Sequence, residues 1–320
     1  MPLVPHTYRP PLLYRNGHLS TMYAGLLRRV PGVVQQRERI DLPDGDFLDL
    51  DWSHAAAPTD RAVVLLHGLE GNAQRAYMLG AAKALNGAGY DVCAVNFRGC
   101  SGTPNNKYRS YHSGATEDLK EVITALCAKR GYEHLFLKGF SLGGNLILKY
   151  LGEGNTVPEQ LRGAVAVSVP CQLAESLAAL LTPQNALYAL RFKKNLLAKL
   201  RQKQKMFPGT LSDADIDRVA TLKDFDDVYT SRAHGFKDAM DYYARCSALQ
   251  FLPNLKLPAL VINAKNDSFL GDACYPVDVA REHEHLHLEM PEHGGHVGFY
   301  GPNGKTYSEH RAVEFFNSLL

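Results

Sequence analysis

The chain has 320 residues, of which 45% are apolar and 21% charged, with a formal net charge of +2. That length can bury a large core without disulfide staples, and it suits one large α/β domain carrying an insertion. The near-neutral balance excludes a surface built mainly for nucleic acid, which carries a strong basic excess. No run of about 18 apolar residues reads as a membrane span.

The first 33 residues, rich in Pro, Arg and Tyr, read as an extended arm laid over the body. They contain no continuous apolar stretch of the kind a secretion signal needs. The six cysteines (Cys93, Cys100, Cys127, Cys171, Cys246 and Cys274) are scattered. Without a secretion signal they read as reduced thiols.

Arg37 to Leu42 and Phe47 to Trp52, joined by Pro43-Asp44-Gly45-Asp46, predict a hairpin. Ala55 to Asp60 reads as a loop. Strands are then predicted at Ala62 to Leu66, Asp91 to Phe97, His134 to Lys138 and Ala164 to Val169. Helices are predicted between them at Tyr77 to Asn86, Thr116 to Lys129 and Asn145 to Leu151. Short all-apolar runs alternating with helices imply a mostly parallel central sheet flanked by helices. Residues 170–244 break the alternation with helical patterns and no strand, as expected of a cap inserted into a core formed by 1–169 and 245–320. Strands resume at Pro258 to Ala264 and Leu286 to Glu289, and Ser308 to Leu320 closes the chain as a helix.

Gly139-Phe140-Ser141-Leu142-Gly143 fits G-x-S-x-G between a predicted strand and a predicted helix. The glycines let the chain turn sharply, so that Ser141 is exposed at the C-terminal edge of the sheet in a strained conformation. A serine hydroxyl needs a base to take its proton. His293-Gly294-Gly295-His296 follows the last strand; two glycines free the second histidine to fold back, which favours His296, with His293 the alternative. Asp267, just beyond the strand Pro258 to Ala264, would fix the tautomer, with Asp272 the alternative. Asp238 and Asp241 precede that strand and fall outside the order Ser, Asp, His. The oxyanion would be held by the N–H of Leu142 and, from His67-Gly68-Leu69-Glu70-Gly71, the N–H of Leu69. His67 itself reads as structural. Cys100 is the rival nucleophile, without the surroundings that Ser141 has. Phe140 and His112 are expected near the pocket.

The segments HGLEGN, NFRGCSG, YHSG, GFSLGGN, KDFDDVYT, DYYARCSA and EHGGHVGF together resemble the YheT group of α/β-hydrolases, the AB hydrolase 4 family. The resemblance covers nearly the whole chain from Asn16-Gly17-His18 onward. It implies the α/β-hydrolase fold and a bacterial cytoplasmic carboxylesterase acting on short- to medium-chain acyl esters. It also implies nucleophile, acid and base at Ser141, Asp267 and His296. Eukaryotic relatives act on lipids, so a lipid ester, a thioester or an acyl acceptor other than water stays open.

Other features carry weaker signals. His283, His285 and His287 alternate as strand neighbours would, but no further cluster completes a metal site. Arg191 to Lys205 reads as a cap helix with a solvated basic face, with peripheral membrane contact as the other reading. His112 to Asp118 misses an acyltransferase box by one residue, and Glu117 and Asp118 suit a helix start. The expected chemistry is acyl transfer through Ser141 with neither metal nor organic cofactor. Activity should rise with pH through roughly 6 to 7 as the base becomes neutral.

Overall fold

The computed structural model describes residues 3–320. Among these residues eight strands form one sheet: β1 (Gln36–Asp41), β2 (Phe47–Ser53), β3 (Arg61–Leu66), β4 (Asp91–Asn96), β5 (His134–Phe140), β6 (Leu161–Val167), β7 (Ala259–Ile262) and β8 (Leu286–Glu289). Their order across the sheet is β1-β2-β4-β3-β5-β6-β7-β8. The β1–β2 and β2–β4 pairs are antiparallel and the remaining neighbours are parallel. The parallel strands are buried on both faces, so they read as continuous apolar runs. In β2 the two-residue period shows instead: Leu48, Leu50 and Trp52 join the core, while Asp49 and Asp51 pair with Arg39 and Arg37 at 2.7 Å.

Among the described residues twelve α-helices accompany the sheet. The first is α1 (Gly17–Met22), in the arm. Next come α2 (Ala76–Gly87), α3 (Thr116–Lys129) and α4 (Leu142–Gly152). Between β6 and β7 lie α5 (Leu173–Leu180), α6 (Ala186–Met206), α7 (Asp213–Asp217), α8 (Leu222–Phe225), α9 (Ser231–His234) and α10 (Ala239–Cys246). The last two are α11 (Val277–Glu282) and α12 (Tyr307–Asn317). Two apolar clusters fill the two sides of the sheet. Two smaller ones, around Leu200 and around Tyr242, lie among the helices between β6 and β7.

The structure corrects several boundaries. The arm is not wholly extended, because Asn16 caps α1 by accepting the Leu19 N–H at 3.0 Å. The sixth strand spans Leu161–Val167, earlier than expected. Of the three alternating histidines only His287 lies on β8, against the Phe315 ring; His283 and His285 sit in the preceding turn. Among the described residues no helix is long and apolar enough to cross a membrane.

Candidate active site

Ser141 stands between β5 and α4 with φ 52° and ψ −119°, a left-handed conformation that a non-glycine residue adopts only under constraint. The constraint comes from close packing. A Cβ on Gly139 would lie 2.4 Å from the Gly143 carbonyl oxygen, and one on Gly143 would lie 2.6 Å from the Leu66 carbonyl oxygen. The glycines thus let α4 start hard against the end of β3. All of α4 is buried, so the turn rests on a rigid base.

Asp267 follows β7 and His296 follows β8, so both reach the C-terminal edge of the sheet where Ser141 stands. Nδ1 of His296 lies 2.9 Å from Oδ2 of Asp267, whose carboxylate is fully buried. The other carboxylate oxygen accepts the Phe269 N–H at 3.0 Å, and the Phe269 ring packs against the imidazole at 4.3 Å. With Nδ1–H donated to the carboxylate, Nε2 is left as the free acceptor. Asp267 meets His296, and neither His293 nor Asp272 enters this arrangement. Ser141 Oγ and the imidazole line one cavity without a hydrogen bond between them among the described residues; such contacts commonly tighten only around substrate.

The loop after β3 packs directly on the serine, since a Cβ on Gly68 would lie 3.2 Å from that of Ser141. Leu142 opens α4, so its N–H is one of the helix's unpaired donors. The Leu69 N–H has no acceptor among the described residues. Both residues line the serine cavity. His67 is fully buried; its Nδ1 reaches the Gly68 carbonyl at 2.7 Å and its Nε2 accepts the Phe97 N–H at 3.2 Å. Burial lowers its pKa to about 3, so it is a neutral scaffold residue with both nitrogens occupied. Cys100 is buried as well, and desolvation pushes its thiol up, away from the thiolate a nucleophile needs.

The cavity holds about 510 Å³ and is walled mainly by apolar side chains, among them Leu173, Leu177, Leu180 and Phe225 from the helices between β6 and β7. Phe140 lines it. His112 does not: it faces an adjoining chamber of about 50 Å³, which shares Leu69, Leu142 and Asp226 with the main cavity. Burial lowers the His112 pKa to about 3, and its Nδ1 accepts the Gly114 N–H. Asp226 has its carboxyl raised to about 6 by burial, while hydrogen bonds from Thr230 and Tyr243 work the other way.

Sequence reading missed the arm's contribution. Thr21 Oγ1 accepts the His296 N–H at 2.8 Å. Asn266 accepts the Gly295 N–H at 3.0 Å and donates to the Arg15 carbonyl at 2.9 Å. A Cβ on Gly295 would lie 2.2 Å from the Gly17 carbonyl oxygen, so this glycine serves close approach of the arm as well as the turn. Asn145, at the end of GFSLGGN, bonds the carbonyls of Ser113 and Cys246 and the Ala248 N–H, tying α4 to two loops.

A family model described as the alpha/beta hydrolase fold matches residues 61–301. The provisionally named esterase YheT of Escherichia coli (strain K12) is 38% identical over 294 residues, covering 90% of this chain and 85% of its own. The human phospholipase ABHD3 is 27% identical over 331 residues, covering 100% of this chain and 80% of its own. Among solved structures, the Pyrococcus furiosus esterase Pf2001 superposes with a TM-score of 0.60 at 19% identity, over 91% of this chain and 96% of that one, which is a likeness of fold.

Proposed function

The chain belongs to the YheT-like α/β-hydrolases, and from that premise we propose that it is a serine hydrolase of carboxylic esters, working through an acyl-enzyme on Ser141. One observation carries the reading: a serine held in a strained turn shares an apolar cavity with an imidazole whose far nitrogen is fixed on a buried aspartate. Ser141 Oγ attacks the ester carbonyl as Nε2 of His296 takes its proton. Asp267 keeps the proton on Nδ1 and stabilises the imidazolium. The N–H groups of Leu69 and Leu142 hold the oxyanion, the kind of contact that contributes about 3 kcal/mol to a transition state. His296 returns the proton to the departing alcohol. Water then repeats the sequence: its oxygen bonds to the acyl carbon as His296 takes its proton, the bond from the acyl carbon to Ser141 Oγ breaks as His296 returns the proton to Oγ, and the acid leaves.

The helices from α5 to α10 act in this reading as a cap that roofs the cavity and selects the acyl chain. A leucine-lined space of about 510 Å³ fits a medium-length chain better than an acetyl group. The phospholipase name of one relative favours a lipid ester as the natural substrate. Six free cysteines suit a reducing compartment, and we place the protein in the cytoplasm. The test is hydrolysis of p-nitrophenyl esters of two to twelve carbons by wild type and Ser141→Ala. Turnover in wild type that vanishes in the variant supports the reading; turnover that survives the substitution defeats it.

A further inference from the structure

The mouth of the serine cavity is bordered by the arm on one side, through Met22 and Leu26, and by the start of α6 on the other, through Leu187 and Arg191. The two borders touch, with the rings of His18 and Tyr188 stacked at 5.9 Å. Both turn leucines outward. Leu26 and Leu27 are 60% and 70% exposed, and Leu187 and Leu190 are 80% and 57% exposed. These side chains gain nothing from the fold by being there, and a cluster of large exposed apolar groups at a cavity mouth marks an interaction surface. The opposite face of α6 is the one that packs inward, through Leu196 and Leu200.

Charge identifies the partner. No Asp or Glu occurs in residues 1–37, which hold five arginines, nor in residues 176–212, which hold seven lysines and arginines. The rest of the chain carries 23 basic and 33 acidic residues. Arg28, Arg37, Lys199 and Arg201 are taken up in ion pairs and Lys203 is buried, so the positive charge left at the mouth rests on cations such as Arg29, Arg191 and Lys194, which have no carboxylate partner among the described residues. Arg29, Arg191 and Lys194 are exposed beside the leucines, and on α6 the spacing 187, 190, 191, 194 puts leucines and cations on one face. Apolar side chains ringed by cations are complementary to an anionic lipid surface, where the leucines enter the acyl region and the cations meet phosphate. The geometry points to this rim as a docking surface for anionic phospholipid bilayers, which would set the cavity mouth against the membrane. The inference deepens the acyl-ester reading of the cavity, but docking is measurable without turnover.

The experiment is co-sedimentation of Ser141→Ala protein with vesicles of phosphatidylcholine, with and without a quarter of phosphatidylglycerol. The same measurement is made on the variant that adds Leu27→Asp and Leu190→Asp, two positions outside the cavity wall. Binding to the anionic vesicles should fall about tenfold in the leucine variant and weaken in high salt. Leu27→Asp/Leu190→Asp with Ser141 intact should keep wild-type hydrolysis of a water-soluble ester, which shows that it folds. Failure to bind anionic vesicles, or equal binding by the leucine variant, overturns docking even where esterase activity is present. Self-association in light scattering that the same substitutions abolish, with no vesicle binding, makes the rim a contact between two copies and also overturns it. Vesicle binding that depends on the leucines, with no ester hydrolysed, leaves docking standing and removes only the esterase reading.

Discussion

Thr21 and His296, 275 residues apart, are joined by a 2.8 Å hydrogen bond from the histidine's backbone N–H to the threonine hydroxyl. The hydroxyl in turn donates to the Gly17 carbonyl at 2.8 Å, so the last loop of the sheet hangs on the first helix of the arm. Nearby, Val297 and Phe299 have φ of 55° and 44°, conformations that ordinary side chains adopt only when their surroundings hold them. Thr21→Val removes the acceptor and leaves the His296 N–H without a partner, at a cost of about 1 kcal/mol. The expected result is a fall of about fivefold to tenfold in kcat with KM little changed. Thr21→Ser, which keeps the hydroxyl, should restore most of the rate. Equal rates in the serine and valine variants would defeat a positioning role.

The Asp267–His296 pair gives a sharper expectation. Among the described residues the carboxylate hydrogen-bonds with one imidazole nitrogen and one backbone N–H and pairs with no lysine or arginine. Asp267→Asn keeps the shape but offers an amide where the imidazole needs an acceptor for its proton, which favours the wrong tautomer. The loss of kcat should be about a thousandfold or more, with thermal stability close to wild type. A loss below tenfold would mean that another group orients the histidine.

What was legible in the chain follows the range over which each feature is determined. The turn at Ser141 is a local matter, set by Gly139, Gly143 and the flanking strand and helix, and five letters in context located it. The start of β6 was placed late because Arg162 and Gly163 interrupt the apolar run, although the backbone is already paired from Leu161. The arm's helix was missed because its proline-rich lead and short length give no periodicity. Thr21 carried no signal at all, since its partner is fixed only by the finished fold. His112 was expected near the pocket; it lines the side chamber that adjoins it, where its ring meets that of His234 at 4.3 Å, a contact no local pattern reveals.

Arg28 and Glu309 fasten the arm to α12 by a two-pronged ion pair, at 2.5 and 2.9 Å, with both side chains 4% exposed. Glu309 also accepts the Thr306 N–H at the start of α12. Removing one member of such a pair leaves the other charge buried without compensation. Glu309→Ala should therefore destabilise the protein by about 3 to 5 kcal/mol in chemical denaturation. Arg28→Met combined with Glu309→Met should cost clearly less than the single alanine, because no orphan charge remains. A double variant as unstable as the single would mean that shape, not charge, dominates there.

Lys138 lies two residues before the start of the serine turn's Phe140-Ser141 step and is fully buried, its Nζ donating to the Ser308 carbonyl at 2.7 Å. Burial lowers its pKa from 10.5 to about 7, against a weaker opposing effect of Glu309. Between pH 7 and about 10 the unfolded lysine stays protonated while the folded one does not. The unfolded state then binds more protons, so this group makes stability rise with pH across that window, by at most about 1.4 kcal/mol per pH unit. Below pH 7 both states are protonated and the slope disappears. Lys138→Met removes the titration. The stability difference between wild type and variant should shift in favour of wild type from pH 7 to 9, measured by urea unfolding. A difference constant over that range would show that the lysine stays charged in the fold.

The helices over the cavity make the last prediction. Leu177, on α5, faces the space that holds Ser141, and Leu180, Leu196 and Phe225 of the same apolar cluster line that space with it. If this wall receives the acyl chain, its volume sets the longest chain that reaches the serine in a productive pose. Leu177→Trp fills part of the space from a partly buried position, so the ring can enter without rebuilding the sheet core. The two-carbon p-nitrophenyl ester needs little of that wall and should keep a rate within about threefold of wild type, as expected where few methylene contacts change. The ten- and twelve-carbon esters should lose about tenfold or more in kcat/KM, since misplacing the carbonyl by even an ångström is costly. The optimum should move to shorter chains. A uniform loss at every length would signal damage to the serine turn, and an unchanged profile would place the acyl chain against another wall of the cavity.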